Sequence, residues 1–376
     1  KLLADFGAEV IKVEPPGTGD PARQEGPFQH DIPNPETSGL FLYLNTNKKS
    51  ITLNLKTATG KKILKQLVKD ADVLVENFEP RVLASLGLSY ETLREINPRL
   101  VMTSISNFGQ TGPYRDYKAT NLTLAAWGGG IGAMGEAGRE PVAMGGSQAE
   151  YMGGIVGYIA TMGAVIGQHK DGIGQHVDLS IHECVASNLQ SAEVSYVYMG
   201  MVRGRSRTRF TTGHPVGVYP CKDGYVNVTP GLGGMPSLAL LIGRPELAEH
   251  EWFTNHRLRQ QHAKEFDEQF LLPYLMTHGR HEIVDFAQTL RMPFTTAVTI
   301  DELLEEPQFQ ARNFMAEVEH PEAGKVVFPG TIAKLSETPG QVTRAPLLGE
   351  HNEEILGGRL GYSKEDLVRM RERDVI

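Results

Sequence analysis

Asp72-Val73-Leu74-Val75 and Leu100-Val101-Met102-Thr103-Ser104-Ile105 are short apolar runs whose surroundings decide the fold. Between them, Ser89 stands where a helix N-cap belongs and Leu93 and Ile96 turn inward. Asn97-Pro98 then ends the helix. Before them, Thr57 can cap a helix whose Ile63, Leu64, Leu67 and Val68 follow helical spacing. Strand, helix and strand at this spacing predict an α/β domain with a parallel sheet covered by helices. Ligands of such sheets bind beyond the carboxyl ends of the strands. Two polar loops occupy that place: Glu76-Asn77-Phe78-Glu79-Pro80-Arg81, and Asn107-Phe108-Gly109-Gln110-Thr111-Gly112-Pro113-Tyr114.

Working outward, a long apolar helix is expected over about 151–169. Gly172-Ile173-Gly174-Gln175 then turns into a strand, His176-Val177-Asp178-Leu179, and a helix follows through Val185 and Leu189. The character changes near Gly200, where Arg203, Arg205, Arg207 and Arg209 form a basic, hydroxyl-rich linker. Such a run is either a solvated linker or a contact for a phosphate-bearing cofactor. Gly217-Val218-Tyr219-Pro220 and Tyr225-Val226-Asn227-Val228 flank Lys222-Asp223-Gly224, a hairpin signal. Amphipathic helices to about Arg291 complete a smaller α+β domain. From about Thr331 the chain is rich in Pro and Gly until a last helix over 363–371. Residues 1–200 are thus expected to form the first part of a large α/β domain, 201–330 a small domain with linkers, and 331–376 a C-terminal segment. At the other end, Lys1-Leu2-Leu3-Ala4-Asp5-Phe6-Gly7-Ala8 reads as a helix closed by Gly7 before the strand Glu9-Val10-Ile11-Lys12-Val13. An earlier strand and the rest of this helix are expected ahead of Lys1.

The chain has 376 residues, ordinary apolar and charged contents and a net charge of −8. That charge gives no general reason to expect nucleic acid or an acidic membrane as partner. Two cysteines, Cys184 and Cys221, with no CxxC pair, argue against a disulfide framework or zinc site and fit a reducing cytoplasm. The apolar region 122–167 is broken by glycines, Pro141 and charges, so no membrane span is expected. Gly130-Ile131-Gly132-Ala133-Met134-Gly135 matches GxGxxG, but residues 136–146 carry three more glycines and Pro141. A helix cannot readily start there, so NAD-type dinucleotide binding is not expected. No HExxH or similar spacing suggests a metal.

Glu150 is the only carboxylate in Gly145-Gly146-Ser147-Gln148-Ala149-Glu150-Tyr151-Met152-Gly153-Gly154. Small residues let a ligand approach the backbone closely. A carboxylate there can serve as nucleophile or base, or simply complement the dipole of the following helix. Lys56 and Arg81, near strand ends, are candidate phosphate contacts. His176 and His182 flank a strand end and read as structural or surface histidines.

Ordered motifs carry a resemblance along the whole chain. Phe6-Gly7-Ala8-Glu9-Val10-Ile11-Lys12-Val13-Glu14-Pro15-Pro16-Gly17 with Gly19-Asp20-Pro21 opens it, and Asn45-Thr46-Asn47-Lys48-Lys49-Ser50-Ile51 follows. Val75-Glu76-Asn77-Phe78, Gly109-Gln110-Thr111-Gly112-Pro113-Tyr114, Gly172-Ile173-Gly174-Gln175-His176-Val177-Asp178 and Arg344-Ala345-Pro346-Leu347-Leu348-Gly349-Glu350-His351 complete it. Together they resemble the class III CoA-transferases, the group of formyl-CoA transferase, carnitine CoA-transferase and α-methylacyl-CoA racemase.

The resemblance implies a Rossmann-like large domain, a small domain, a C-terminal segment returning to the large domain, and an intertwined homodimer. It implies acyl-CoA and a free carboxylic acid as substrates, with neither metal nor NAD. The family's catalytic aspartate falls on Glu150, a carboxylate one methylene longer. It would attack an acyl-CoA thioester and pass through a mixed anhydride and an enzyme–CoA thioester, with neighbouring backbone N–H groups stabilising the oxyanions. CoA contacts carry over to Leu53, Lys56, Asn77, Phe78, Leu86 and Tyr117. A basic residue the family can place at Ser85 is absent, and Arg81, four residues earlier, can substitute. The racemase branch needs a histidine where this chain reads Tyr117-Lys118-Ala119-Thr120-Asn121, which disfavours an acyl-CoA racemase or isomerase. The remaining alternative is a CoA-binding subunit without an effective nucleophile, working as a heteromer with a paralogue.

Overall fold

The structure, a computed structural model, describes every residue except 137, 190, 203 and 206–212, and leaves out the side chains of 191 and 232. Arg203, Arg207 and Arg209 of the basic run therefore lie outside the described residues. The chain divides into two compact units. The first comprises Lys1–Gly128, Gly146–Asn188 and Leu304–Ile376, and the second Gly129–Gly145 and Leu189–Leu303.

The first unit has the expected α/β architecture. Strands β1 (Val10–Glu14) and β2 (Lys48–Thr52) pair in parallel, with Val10 opposite Lys48. Strands β3 (Val73–Glu76), β4 (Val101–Ser106) and β5 (His176–Ser180) form a second parallel sheet in the order β3-β4-β5. The cap signals hold: Thr57 Oγ1 accepts the Gly60 N–H at 2.9 Å, opening the helix Ala58–Val68. Ser89 Oγ does the same for Thr92 N–H at the helix Tyr90–Ile96. Asn97 does more than stop that helix. Its Nδ2 donates to the carbonyls of Val68 (2.9 Å) and Ala71 (2.8 Å), satisfying the open end of the previous helix.

Ile51, Leu53, Ile63, Leu64, Leu93 and Leu100 form one buried core with Ile355, Leu356, Leu367 and Met370 from the chain's end. Hydrogen bonds explain the return. Gly349 N–H donates to Ser50 Oγ (3.0 Å), His351 N–H to the Ser50 carbonyl (2.9 Å), and Asn352 Oδ1 accepts Thr52 N–H (2.9 Å). The motif around His351 thus serves β2 directly.

In the second unit, β6 (Gly217–Cys221) and β7 (Gly224–Val228) form the expected hairpin, and β8 (Thr295–Thr296) adds to β7. Helices close over a core that includes Tyr219, Val226, Leu238, Phe266, Leu271 and Phe294. The GxGxxG match is a single 3-10 turn, Ile131–Ala133, with no helix over the described part of 136–146.

Three features depart from the sequence expectations. The long helix spans Gln148–Asp171, so it starts three residues early and includes Glu150 in its first turn. At 24 residues it is also long and apolar enough, by length and composition, to cross a membrane, contrary to the reading of a broken apolar region. The breaks fall outside it: Pro141 and most of the glycines precede Gln148, and its internal glycines are tolerated within a helix that packs on a sheet. Its small-residue face lies on that sheet, where a Cβ on Gly157 would come within 2.9 Å of Ile105 Cδ1. Finally, β9 (Met315–His320) and β10 (Gly324–Pro329) form an antiparallel hairpin that the sequence expectations lacked, although Pro321 and Gly324 punctuate its turn.

Candidate active site

Both polar loops emerge at the carboxyl ends of β3 and β4. In the first, Glu76 accepts the Phe78 N–H at 2.8 Å, which turns the chain sharply after the strand. The second is held by Asp178 on β5, whose carboxylate accepts the Gln110 N–H at 2.9 and 3.1 Å. Gly109 there has φ +83°, a conformation that favours glycine. Two separated motifs are thereby one structural unit.

A cavity of about 2260 Å³ opens at these loops, wholly within the first unit. It exceeds the ~300–1,000 Å³ usual for a small-molecule site. Part of it runs along β1 and β3, each of which, among the described residues, hydrogen-bonds to one neighbouring strand. Glu150, Leu53, Lys56, Asn77, Phe78, Leu86 and Tyr117 all line this cavity. Arg81 does not, although Pro80 and Val82 on either side of it do.

The Lys56 loop is shaped from two directions. Asn54 Oδ1 accepts the Lys56 N–H at 3.0 Å, and the Asn54 N–H donates to the Val375 carbonyl at 2.8 Å. Leu53 is buried, and its N–H donates to the Glu14 carbonyl at 2.8 Å. Phe78 and Tyr117 are each about half exposed on the cavity wall. Tyr117 belongs to an aromatic cluster with Phe108, Tyr114 and Trp127, its ring 5.0 Å from that of Tyr114 and edge-on to Phe108 at 6.4 Å. Such a cluster gives a rigid apolar wall at little entropic cost.

Glu150 is exposed to the cavity on the first helical turn. Ser147, in the N-cap position, makes no side-chain cap bond. Asn121 supplies it instead: its Oδ1 accepts the N–H of Ala149 at 2.8 Å and of Glu150 at 3.4 Å, while its Nδ2 donates to the Gly146 carbonyl at 2.9 Å. The Tyr151 N–H is taken by the Ser147 carbonyl at 2.9 Å. The N–H groups of residues 149–151 are therefore spent on the helix start, and the expectation that Glu150's immediate backbone neighbours bind an oxyanion does not hold for these three.

Charge on this wall is paired. Arg81 and Arg115 both reach Asp116 Oδ2 at 3.2 Å, and Lys118 pairs with Glu79. Arg81 adopts φ +74°, uncommon for a residue with a Cβ. Arg115 does line the cavity, and sequence reading passed over it. Its one signal is its place in the loop after β4. Lys118 is turned into an ion pair with Glu79, and no histidine is among the described cavity-lining residues. Lys48 also reaches the cavity; burial, and then the neighbouring Lys12 charge, bring its ammonium down to about 8. His176 stacks on Tyr90 with ring centroids 5.3 Å apart and contacts Ser104 Oγ at 2.9 Å, a structural placement. Among the described residues, no group of three or more His, Cys, Asp or Glu side chains is placed to hold a metal.

A parallel α/β unit whose strand-end loops share one cavity with a carboxylate on the first turn of the long helix is the setting in which the comparisons place this chain. The chain belongs to CoA-transferase family III, which matches residues 1–352. It is 35% identical to a succinyl-CoA–D-citramalate CoA-transferase of Chloroflexus aurantiacus, over all of this chain and 93% of that protein. It is 34% identical to a formyl-CoA:oxalate CoA-transferase of Streptomyces avermitilis, over all of this chain and 94% of that one. The crystal structure of a CAIB/BAIF family protein from Brucella suis superposes with a TM-score of 0.84 at 29% identity, covering 95% of this chain and 93% of the other. The sequence resemblance is thus borne out, and the protein is a class III CoA-transferase acting on acyl-CoA.

Proposed function

We propose that this transferase moves CoA from a short acyl-CoA, of the succinyl-CoA kind, to a free dicarboxylic acid, with Glu150 as nucleophile. The observation that carries the reading is that Glu150 faces the same cavity as Lys56, Asn77, Phe78, Leu86 and Tyr117. The acid class comes from the relatives: the Chloroflexus protein is named for succinyl-CoA and citramalate, the Streptomyces protein for formyl-CoA and oxalate.

In this scheme a Glu150 carboxylate oxygen adds to the thioester carbonyl. The C–S bond breaks, CoA leaves as thiolate and a mixed anhydride remains. The thiolate then attacks the Glu150 acyl carbon, releasing the donor acid as carboxylate and leaving a glutamyl–CoA thioester. An acceptor carboxylate reverses both steps, so no net proton is consumed. Lys56 and Arg115 meet the phosphates, with Arg81 behind Asp116, and Phe78, Leu86 and Tyr117 flank the pantetheine arm.

An intertwined homodimer belongs to the same reading. The helix Ser191–Met199 supports it, because Val197, Tyr198 and Met199 are 75, 83 and 66% exposed in the single chain. On the long helix, Ile155, Ile159 and Ile166 are likewise at least half exposed. Covering apolar surface of this extent is what contact with a second chain would do. A sedimentation mass that stays at two chains on dilution is the expected result.

The test of the chemistry is intact-protein mass spectrometry of the protein mixed with succinyl-CoA. A CoA-sized mass gain that maps to Glu150 and vanishes in Glu150→Gln supports the reading. No adduct from a panel of acyl-CoAs, with CoA binding intact, would favour a subunit that lacks its nucleophile and works beside a paralogue.

A further inference from the structure

We infer that Asn121 is a positioning residue for Glu150, an inference that rests on Glu150 being the nucleophile. Helix starts are ordinarily capped by the residue at the N-cap itself. Here Ser147 holds that position and makes no cap bond. The cap comes from a residue 28 positions away from Ala149, on the helix Asn121–Trp127. One side chain makes three bonds: it accepts the N–H of Ala149 and of Glu150 and donates to the Gly146 carbonyl. It therefore grips the last of the flexible glycines and the first helical turn together.

The gripping element is itself firm. Thr120 and Thr123 form a reciprocal capping box at its start, Ala125 is buried, and Leu124 is buried in the cluster that also holds Ala149. Gly145 and Gly146 precede the helix, and Gly146 sits at φ +69°. A start flanked by such residues has no intrinsic stiffness. Stability alone needs only a local serine cap. A distant side chain adds a fixed height for the Glu150 backbone relative to the wall that carries Tyr117 and Asn107. A nucleophile on a longer stem gains most from this, because its attack geometry depends on where the backbone is held.

The test compares Asn121→Ala with Ser89→Ala. Both remove a helix-capping side chain, but only Asn121 bonds residues 146, 149 and 150, whereas Ser89 caps the helix Tyr90–Ile96. Asn121→Ala is expected to lower kcat and the rate of glutamyl–CoA formation by about ten- to a hundredfold, with KM for acyl-CoA within about threefold of the parent. Ser89→Ala is expected to lower Tm comparably and to keep kcat within about threefold. Equal losses in both variants at matched folded fraction, or an unchanged adduct rate in Asn121→Ala, overturns the inference. Glu150→Gln is measured alongside. If it still forms the adduct, the nucleophile assignment itself has failed; if it does not while Asn121→Ala reacts normally, only the positioning role is lost.

Discussion

Thr103 on β4 and Thr161 on the long helix share a buried hydrogen bond of 2.7 Å between their hydroxyls. Thr161 donates its proton to the Gly157 carbonyl at 2.6 Å, so Thr103 is the donor between the two. This bond sets the height of the helix on the sheet, and with it the level at which Glu150 meets the strand ends. Thr161→Val keeps the shape but leaves the Thr103 hydroxyl buried and unpaired. A loss of about 1–3 kcal/mol is expected in urea unfolding. The double variant with Thr103→Val should lose less than the sum of the two single changes, and strict additivity would refute the coupling.

Gly60 lies against the backbone of the Lys56 loop. A Cβ there would fall 2.1 Å from the Asn54 carbonyl oxygen, which cannot swing aside as a side-chain tip can. Gly60→Ala is therefore expected to push the loop outward, costing about 1–3 kcal/mol despite the better helix former. If Lys56 contacts CoA, KM for acyl-CoA rises severalfold while kcat changes little. Steady-state kinetics with thermal unfolding checks both.

Arg23 is fully buried and forks onto Glu14 at 2.7 and 3.0 Å, with a further bond to Glu36 at 2.7 Å and to the Pro346 carbonyl at 3.2 Å. Burial pushes the Glu14 carboxyl up, but bonds from Arg23 and Ser50 and the Arg23 charge outweigh it and hold it below its usual 4.5. Its stabilising contribution is complete above the unfolded value and is lost as pH falls through the lowered folded one. Acid unfolding should thus begin below about pH 4.5. Arg23→Met strands a buried carboxylate and is expected to cost about 3–5 kcal/mol. Its unfolding transition should also lose that part of the pH dependence, and an unchanged acid limb would contradict the assignment.

Arg81 and Arg115 share Asp116 but differ in place and strain. Arg115→Ala is expected to raise KM for acyl-CoA about tenfold and to weaken its salt dependence. Arg81→Gly relieves a left-handed backbone and should hold or raise Tm, by about 1 kcal/mol of stability. A larger KM effect at Arg81 than at Arg115 would reverse their order of contact with the phosphates.

Much of this molecule was readable along the chain because its signals are local. Thr57 and Ser89 mark helix starts through bonds made within a few residues, and the apolar runs of β3 and β4 announce a parallel sheet by their period. The hairpin of β9 and β10 was hidden because one of the buried positions of β9 is His320 and Val318 is its one β-branched residue, although both alternate with exposed Glu317 and Glu319. Family motifs located Glu150, Lys56, Asn77 and Phe78, yet only the fold brings them to one cavity. Nothing in Ser147-Gln148-Ala149-Glu150 reveals that the helix begins at Gln148, because its cap is a side chain 26 residues before Ser147. Nor does Arg81 disclose that Asp116 will claim it rather than the cavity. Local hydrogen bonding and hydrophobic period are properties of neighbouring residues, and the sequence by itself determines them. Which distant side chain satisfies a helix start, and which of two arginines faces the ligand, depends on elements meeting in space, and only the tertiary structure decides that.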